Sequence, residues 1–191
     1  MTNVNGTLYF AGKDDTNGTE LWKSDGTTAG TVLVKDIHPG TNSSSPSNLI
    51  NFNGTLYFSA HTNAKGKELW MSDGTAAGTV LVKDIATGFY GSNPCYMTPI
   101  DATLYFSICN AGIGLWKTDG TSAGTVPVMD TMAKQNPFTS KLINVNGTLY
   151  FTSDADNHGW ELWKSDGTAA GTNRIKDIAQ GSTSSSPNSL T

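Results

Sequence analysis

The sequence predicts an all-β fold, a β-propeller of four-stranded antiparallel blades. Three observations predict it: a repeat of about 47 residues present four times, an Asn-Gly turn inside most copies, and a composition poor in helix formers. Gly, Thr, Ser and Asn are abundant, and all of them sit low on the helix scale. No window holds apolar residues at helical spacing over several turns, so almost no helix is expected.

The copies align on Asn5-Gly6-Thr7-Leu8-Tyr9-Phe10, Asn53 to Phe58, Asp101 to Phe106 and Asn146 to Phe151. A second block recurs downstream, and its tryptophans Trp22, Trp70, Trp116 and Trp163 fall 48, 46 and 47 residues apart. These blocks divide the chain into repeats of approximately 1–46, 47–94, 95–139 and 140–191.

Each repeat reads as strands A to D, taken here from the second copy. Strand A is the apolar run Leu49 to Phe52. The Asn53-Gly54 pair that follows suits a tight hairpin, because both turn residues must take positive φ. Strand B is Thr55 to Ala60, and strand C is Glu68 to Ser72. The turn Asp73 to Gly78 leads into strand D, Thr79 to Ile85. The longest connection runs from D to the next A, as expected for a blade whose outermost strand must return to the next innermost one.

Centring the C–D turn on Thr27–Thr28 places Glu20 opposite Lys35, Glu68 opposite Lys83 and Glu161 opposite Lys176. In the third repeat both positions change together, to Gly114 and Met129. This paired loss predicts a cross-strand ion pair and a structural role for the glutamates. The turn aspartates Asp25, Asp73, Asp119 and Asp166 read the same way, as acceptors for backbone N–H groups. The repeat tryptophans read as blade-to-blade packing.

The tail, Ser184 to Thr191, matches the lead-in Ser43 to Ile50, and the head matches Ile50 to Gly54, so the first innermost strand is shared between the termini. Two closures fit: a four-bladed ring within one chain, or a homodimer in which strand exchange at the termini makes eight blades.

The block Glu-Leu-Trp-x-x-Asp-Gly-Thr-x-x-Gly-Thr at Glu20–Thr31, Glu68–Thr79 and Glu161–Thr172 resembles the ELWxxDGT repeat family of bacterial proteins. The third copy, Gly114–Thr125, departs at the Glu position. The resemblance covers essentially the whole chain. It implies a β-propeller, often in large secreted or surface-attached proteins, and hence an extracellular or cell-surface location. It implies no reaction.

Net charge is −4 and the twelve Lys and Arg are scattered, which argues against nucleic acid as a partner. No apolar run is long enough to insert in a bilayer as a helix, and the head of the chain carries no signal-peptide pattern. Cys95 and Cys109 flank the hairpin of the third repeat one residue out of register, so they read equally as a disulfide that needs a bulge or as two buried thiols.

What recurs explains the scaffold, so candidate function lies where the copies differ. Asp154, Asp156, His158 and Trp160 mark the B–C loop of repeat four, and Asp14 and Asp15 that of repeat one. Spaced acids with Asn and Gly resemble part of a calcium loop, but the bidentate Glu is missing and a solvated loop is the better reading. Trp160 aligns with Thr19, Lys67 and Ile113, so the fold does not require an aromatic there. Phe89, Tyr90 and Phe138 occupy D–A loops, which share one face with B–C loops in a propeller. The three histidines sit in loops of different repeats and no nucleophile signature is present. The expectation is a non-enzymatic binding module that contacts glycan or protein through these loops. The rival is a structural, self-assembling repeat unit.

Overall fold

A computed structural model describes residues 1–110, 114–129 and 141–187. Among them the fold is all-β and propeller-like: four separate four-stranded antiparallel sheets, each an up-and-down meander in chain order, and no helix. No helix long and apolar enough to cross a membrane is therefore found among these residues.

Blade 1 is β1 (Thr2–Val4), β2 (Thr7–Asp14), β3 (Gly18–Ser24) and β4 (Val32–Lys35). Blade 2 is β5 (Ser47–Phe52), β6 (Thr55–Thr62), β7 (Gly66–Ser72) and β8 (Val80–Lys83). Blade 3 is β9 (Pro94–Ile100), β10 (Thr103–Ile108), β11 (Leu115–Thr118) and β12 (Val126–Met129). Blade 4 is β13 (Ile143–Val145), β14 (Thr148–Ser153), β15 (Glu161–Ser165) and β16 (Asn173–Arg174). Phe138 and the last residues of the tail, 188–191, lie outside the described residues. The chain divides into two compact units, Met1–Pro94 and Cys95–Thr191, and each holds two blades.

The inner hairpins form as their Asn-Gly pairs require. Asn5 and Gly6 take φ of 51° and 84°, and Asn53–Gly54 and Asn146–Gly147 repeat the geometry. Asp101 supplies the same left-handed residue, φ 50°, in blade 3. Short polar residues such as Asn and Asp tolerate this region better than other non-glycine residues, and the turn is braced from the strand before it, where Asn3 Oδ1 accepts from Gly6 N at 2.9 Å.

The outer turns are closed by side chains. Asp25 Oδ1 accepts from the N–H and hydroxyl of Thr27 (2.9 and 2.7 Å), and Thr27 Oγ1 accepts from Gly30 N at 2.9 Å. Asp73, Asp119 and Asp166 repeat this arrangement with Thr75, Thr121 and Thr168. The aspartates are structural acceptors, as the sequence suggests.

The Glu–Lys pairing expected from the sequence is overturned. A bulge between Leu21 and Trp22 shifts the register, so Lys35 lies opposite Leu21 and not Glu20; blade 2 has the same bulge. The extra residue, Val34 in blade 1, belongs to strand D; strand C keeps its regular register with strand B, and Glu20, Glu68 and Glu161 on it are completely buried. Each carboxylate gathers the D–A loop of its own blade. Glu68 accepts from the N–H groups of Ile85, Ala86 and Ser92 at 3.2, 3.1 and 2.8 Å and from the Ser92 hydroxyl. Glu20 does the same for Ile37 and Ser44, and Glu161 for Ile178, Ala179 and Ser185. Lys35 instead sends Nζ to the carbonyl of Thr79 in blade 2, at 2.7 Å.

Within the first unit, Val4, Tyr9, Leu21, Val34 and Ile37 of blade 1 pack on Leu56, Phe58 and Ala60 of blade 2, with Trp70 at the margin. Within the second, Ile100, Tyr105, Leu115 and Val128 of blade 3 pack on Leu149, Phe151 and Trp163 of blade 4. Trp70 and Trp163 therefore serve blade-to-blade packing, and Trp163 satisfies its N–H on Ser153 O at 2.9 Å. Cys95 and Cys109 form a disulfide with Cα atoms 6.0 Å apart. Strand A of blade 2, β5, shifts register between Ser47 and Ile50, with Asn48 at φ 54°, and beside Cys95 in β9 the matching residue Tyr96 takes φ 50°.

Candidate functional site

B–C and D–A loops lie side by side in each blade where both are described. The D–A loop runs along the start of strand C, where its backbone N–H groups donate to main-chain carbonyls. Ser45 N donates to Thr19 O (3.1 Å), Asn93 N to Lys67 O (2.8 Å) and Ser186 N to Trp160 O (3.1 Å). The close approach explains two glycines in blade 2. A Cβ at Gly66 would strike the Gly91 backbone, and one at Gly91 would strike Lys67. Both also hold positive φ, 64° and 62°.

In the first unit this arrangement collects an aromatic cluster. His38, from the D–A loop of blade 1, stacks at a tilt on His61, at the end of strand B of blade 2 (centroids 5.6 Å apart). His61 meets Phe89 edge to face at 5.5 Å, and Phe89 meets Tyr90 likewise at 5.9 Å. Phe89 and Tyr90 are 61% and 82% exposed, whereas His38 is buried beneath them. Burial, then the neighbouring His38 and Lys67, push the His61 pKa below its ordinary value, against a hydrogen bond to the Phe89 carbonyl. Burial also lowers the pKa of Lys67. The sequence placed Phe89 and Tyr90 among the candidates but left the histidines apart in separate repeats. What brings them together is the packing of one blade's D–A loop against the next blade's strand B, fixed by His61 N donating to Ser44 O at 2.8 Å.

In the second unit the loop acids are engaged with their own surroundings. Asp156 Oδ2 takes Arg174 Nε at 2.9 Å, and its Oδ1 lies 3.3 Å from His158 Nδ1. Arg174 also approaches Asp177 at 3.2 Å. Asp154 buries Oδ1 with no hydrogen-bond partner among the described residues. Trp160 is half-buried, and its main chain clamps the D–A loop: N accepts no proton but donates to Ser184 Oγ at 2.9 Å, while O accepts from Ser185 and Ser186. Its side chain lines a cavity of about 320 Å³ with Thr152, Ser186 and Pro187.

In blade 1, Asp14 turns both carboxylate oxygens into its own loop. Oδ1 accepts from the N–H groups of Thr16 and Asn17 and Oδ2 from the Asn17 amide. The side-chain amide of Asn17 is the main cause holding the Asp14 pKa below the usual carboxylate range. Asp15 is exposed at the tip. Among the described residues, no three His, Cys, Asp or Glu side chains come close enough to share a metal ion. Asp14 thus serves as a turn acceptor and Asp156 as an ion-pair partner.

No protein-family model matches the chain, and no curated protein matches it either. Solved structures do match in fold. Over 92% of this chain, puromycin hydrolase superposes with a TM-score of 0.60 at 13% identity. The computationally designed Ika8 protein superposes over 94% with a TM-score of 0.51 at 12% identity. This chain spans 27% of the first and 49% of the second, so the likeness is one of fold over part of a longer chain.

Proposed function

We propose that the chain is a non-enzymatic binding module, in which propeller blades present B–C and D–A loops to a glycan or protein surface outside the cell. The observation that carries this reading is the exposed pair Phe89–Tyr90, set edge to face over His61 in a loop pinned by Glu68. Large exposed aromatic faces on a braced loop favour a ligand with apolar faces of its own, and Tyr adds a hydroxyl for polar contact. A sugar ring meets both demands. The non-enzymatic reading is supported by the loop acids being committed to Asn17 and Arg174 and the buried glutamates to their loops. The Cys95–Cys109 disulfide suits an oxidising, extracellular setting.

Titration of the chain on a glycan array tests the proposal. Retention on a subset of sugars, lost in Phe89→Ala and Tyr90→Ala and kept in Trp160→Ala, is the expected result. No retention on any sugar defeats the glycan reading, and loss only in Trp160→Ala moves the site to blade 4.

A further inference from the structure

We propose that a second copy of this chain docks its blade 4 on blade 1, and that the two copies are joined at two such junctions. The proposal is independent of the loop surface described above. It starts from a junction that occurs once inside each unit and is built alike both times.

At the first, Tyr9 places its hydroxyl where a Cβ at Gly74 would stand, and Lys23 Nζ donates to Gly74 O at 2.8 Å. At the second, Tyr105 covers Gly167 and Lys117 Nζ donates to Gly167 O at 2.9 Å. Nearer the inner strand, Thr2 Oγ1 donates to Leu49 O (2.7 Å) and Thr98 Oγ1 to Leu142 O (3.0 Å). Each of these junctions thus sets a Tyr–Lys pair of one blade against the glycine carbonyl of the next blade's Asp-Gly-Thr turn; blades 1, 3 and 4 carry the pair, and blade 2 has Met71 opposite Tyr57.

Blade 4 carries the donor half of this junction uncovered. Tyr150 and Lys164 face each other across β14 and β15 as Tyr9 and Lys23 do across β2 and β3. Tyr150 is half-buried and Lys164 exposed. The apolar residues around them are kept in kind but not in burial: Val145, Ile175 and Ile178 stand where Val4, Val34 and Ile37 are buried, yet they are 47%, 45% and 57% exposed. A hollow of about 260 Å³, lined by Thr148, Lys164, Asp166 and Asn173 among others, opens on this face.

Blade 1 carries the acceptor half. No atom of the described residues lies within 4 Å of a Cβ built on Gly26, the counterpart of Gly74 and Gly167. Leu8 is 39% exposed, whereas its counterparts Leu56 and Leu149 are fully buried. Phe10 and Trp22 on the same face are only partly covered.

The face that fits Gly26, Leu8 and Phe10 is one carrying Tyr, Lys and three β-branched residues, and in the proposed assembly blade 4 of a second copy supplies it. Two unlike faces on one chain join head to tail, and the association closes when two copies satisfy all four faces.

Sedimentation equilibrium on the full chain, from low to high micromolar, tests this. The expected mass is twice the 20.2 kDa of the chain. Lys164→Glu, an exposed change that leaves the circular dichroism spectrum intact, should weaken self-association at least tenfold, while Lys13→Glu leaves it unchanged. A single 20.2 kDa species at every concentration, a ladder beyond two copies, or full association of Lys164→Glu would each overturn the proposal.

Discussion

Ser92 gives both its hydroxyl and its backbone N–H to the carboxylate of Glu68, and so ties the far end of the D–A loop to the first residues of strand C. Glu20 holds Ser44 and Glu161 holds Ser185 in the same manner. The buried carboxylate is affordable because every bond it accepts comes from a group that would otherwise be unpaired in the interior.

Replacing Glu68 by Ala should leave the N–H groups of Ile85, Ala86 and Ser92 without an acceptor. At about 1–3 kcal/mol for a buried unsatisfied group, with relaxation toward water recovering part, the expected loss is roughly 2–4 kcal/mol in urea unfolding. Ser92→Ala, which removes one bond, should cost about 1 kcal/mol. Equal stability of Glu68→Ala and the parent would refute the role of the carboxylate.

The turn aspartates carry a pH signature. Asp25, Asp73 and Asp166 are held below the usual carboxylate range chiefly by the Thr hydroxyl two residues on, and Asp119 chiefly by the Thr121 N–H. Their folded pKa values lie below the unfolded one, about 3.9, so their contribution is complete above that value and fades as pH falls through the folded values. Acid titration of stability should therefore show a steeper loss below about pH 4 in the parent than in Asp73→Asn.

His61 should respond in a higher window. Its folded pKa lies below the ordinary value, first through burial and then through His38 and Lys67. A base of this kind contributes fully above the unfolded pKa of about 6.5, and its support of the Phe89–Tyr90 loop is lost as pH drops below that value. Hydrogen exchange at the amides of residues 88–93 should accelerate between pH 7 and 5, and this acceleration should vanish in His61→Phe. Exchange that ignores pH apart from its intrinsic chemistry would contradict the coupling.

The disulfide braces the inner hairpin of blade 3 across a sequence separation of 14 residues. Loop-closure entropy for a loop of this size gives about 3 kcal/mol. The double variant Cys95→Ser, Cys109→Ser should lose about that much stability in denaturant, with the signal of the second unit moving first.

The hairpins were legible because Asn-Gly pairs and the Asp-Gly-Thr turns state their own backbone geometry. Phe89 and Tyr90 were legible as aromatics that the repeat does not need. The glutamates were misread because opposite residues were counted across a regular ladder, whereas the bulge at Leu21–Trp22 moves the register by one residue. A signal for their true partner was present: a serine stands 24 residues after each Glu, at Ser44, Ser92 and Ser185, while Gly114 is followed at that distance by Phe138. The His38–His61 contact had no such signal, since it depends on how one blade's loop lies on the next.

The closed Asp-Gly-Thr turn also bears on the order of folding. Its bonds span only two to four residues, and Ser72 meets Thr79 across it at 2.7 Å. Loops of this length close in about 10–100 ns, far faster than one blade can pack on the next. The outer hairpins are thus the natural nucleation points of the chain, and φ-values near 1 belong at Thr27, Thr75 and Thr168, with values near 0 at the glutamate-held loops.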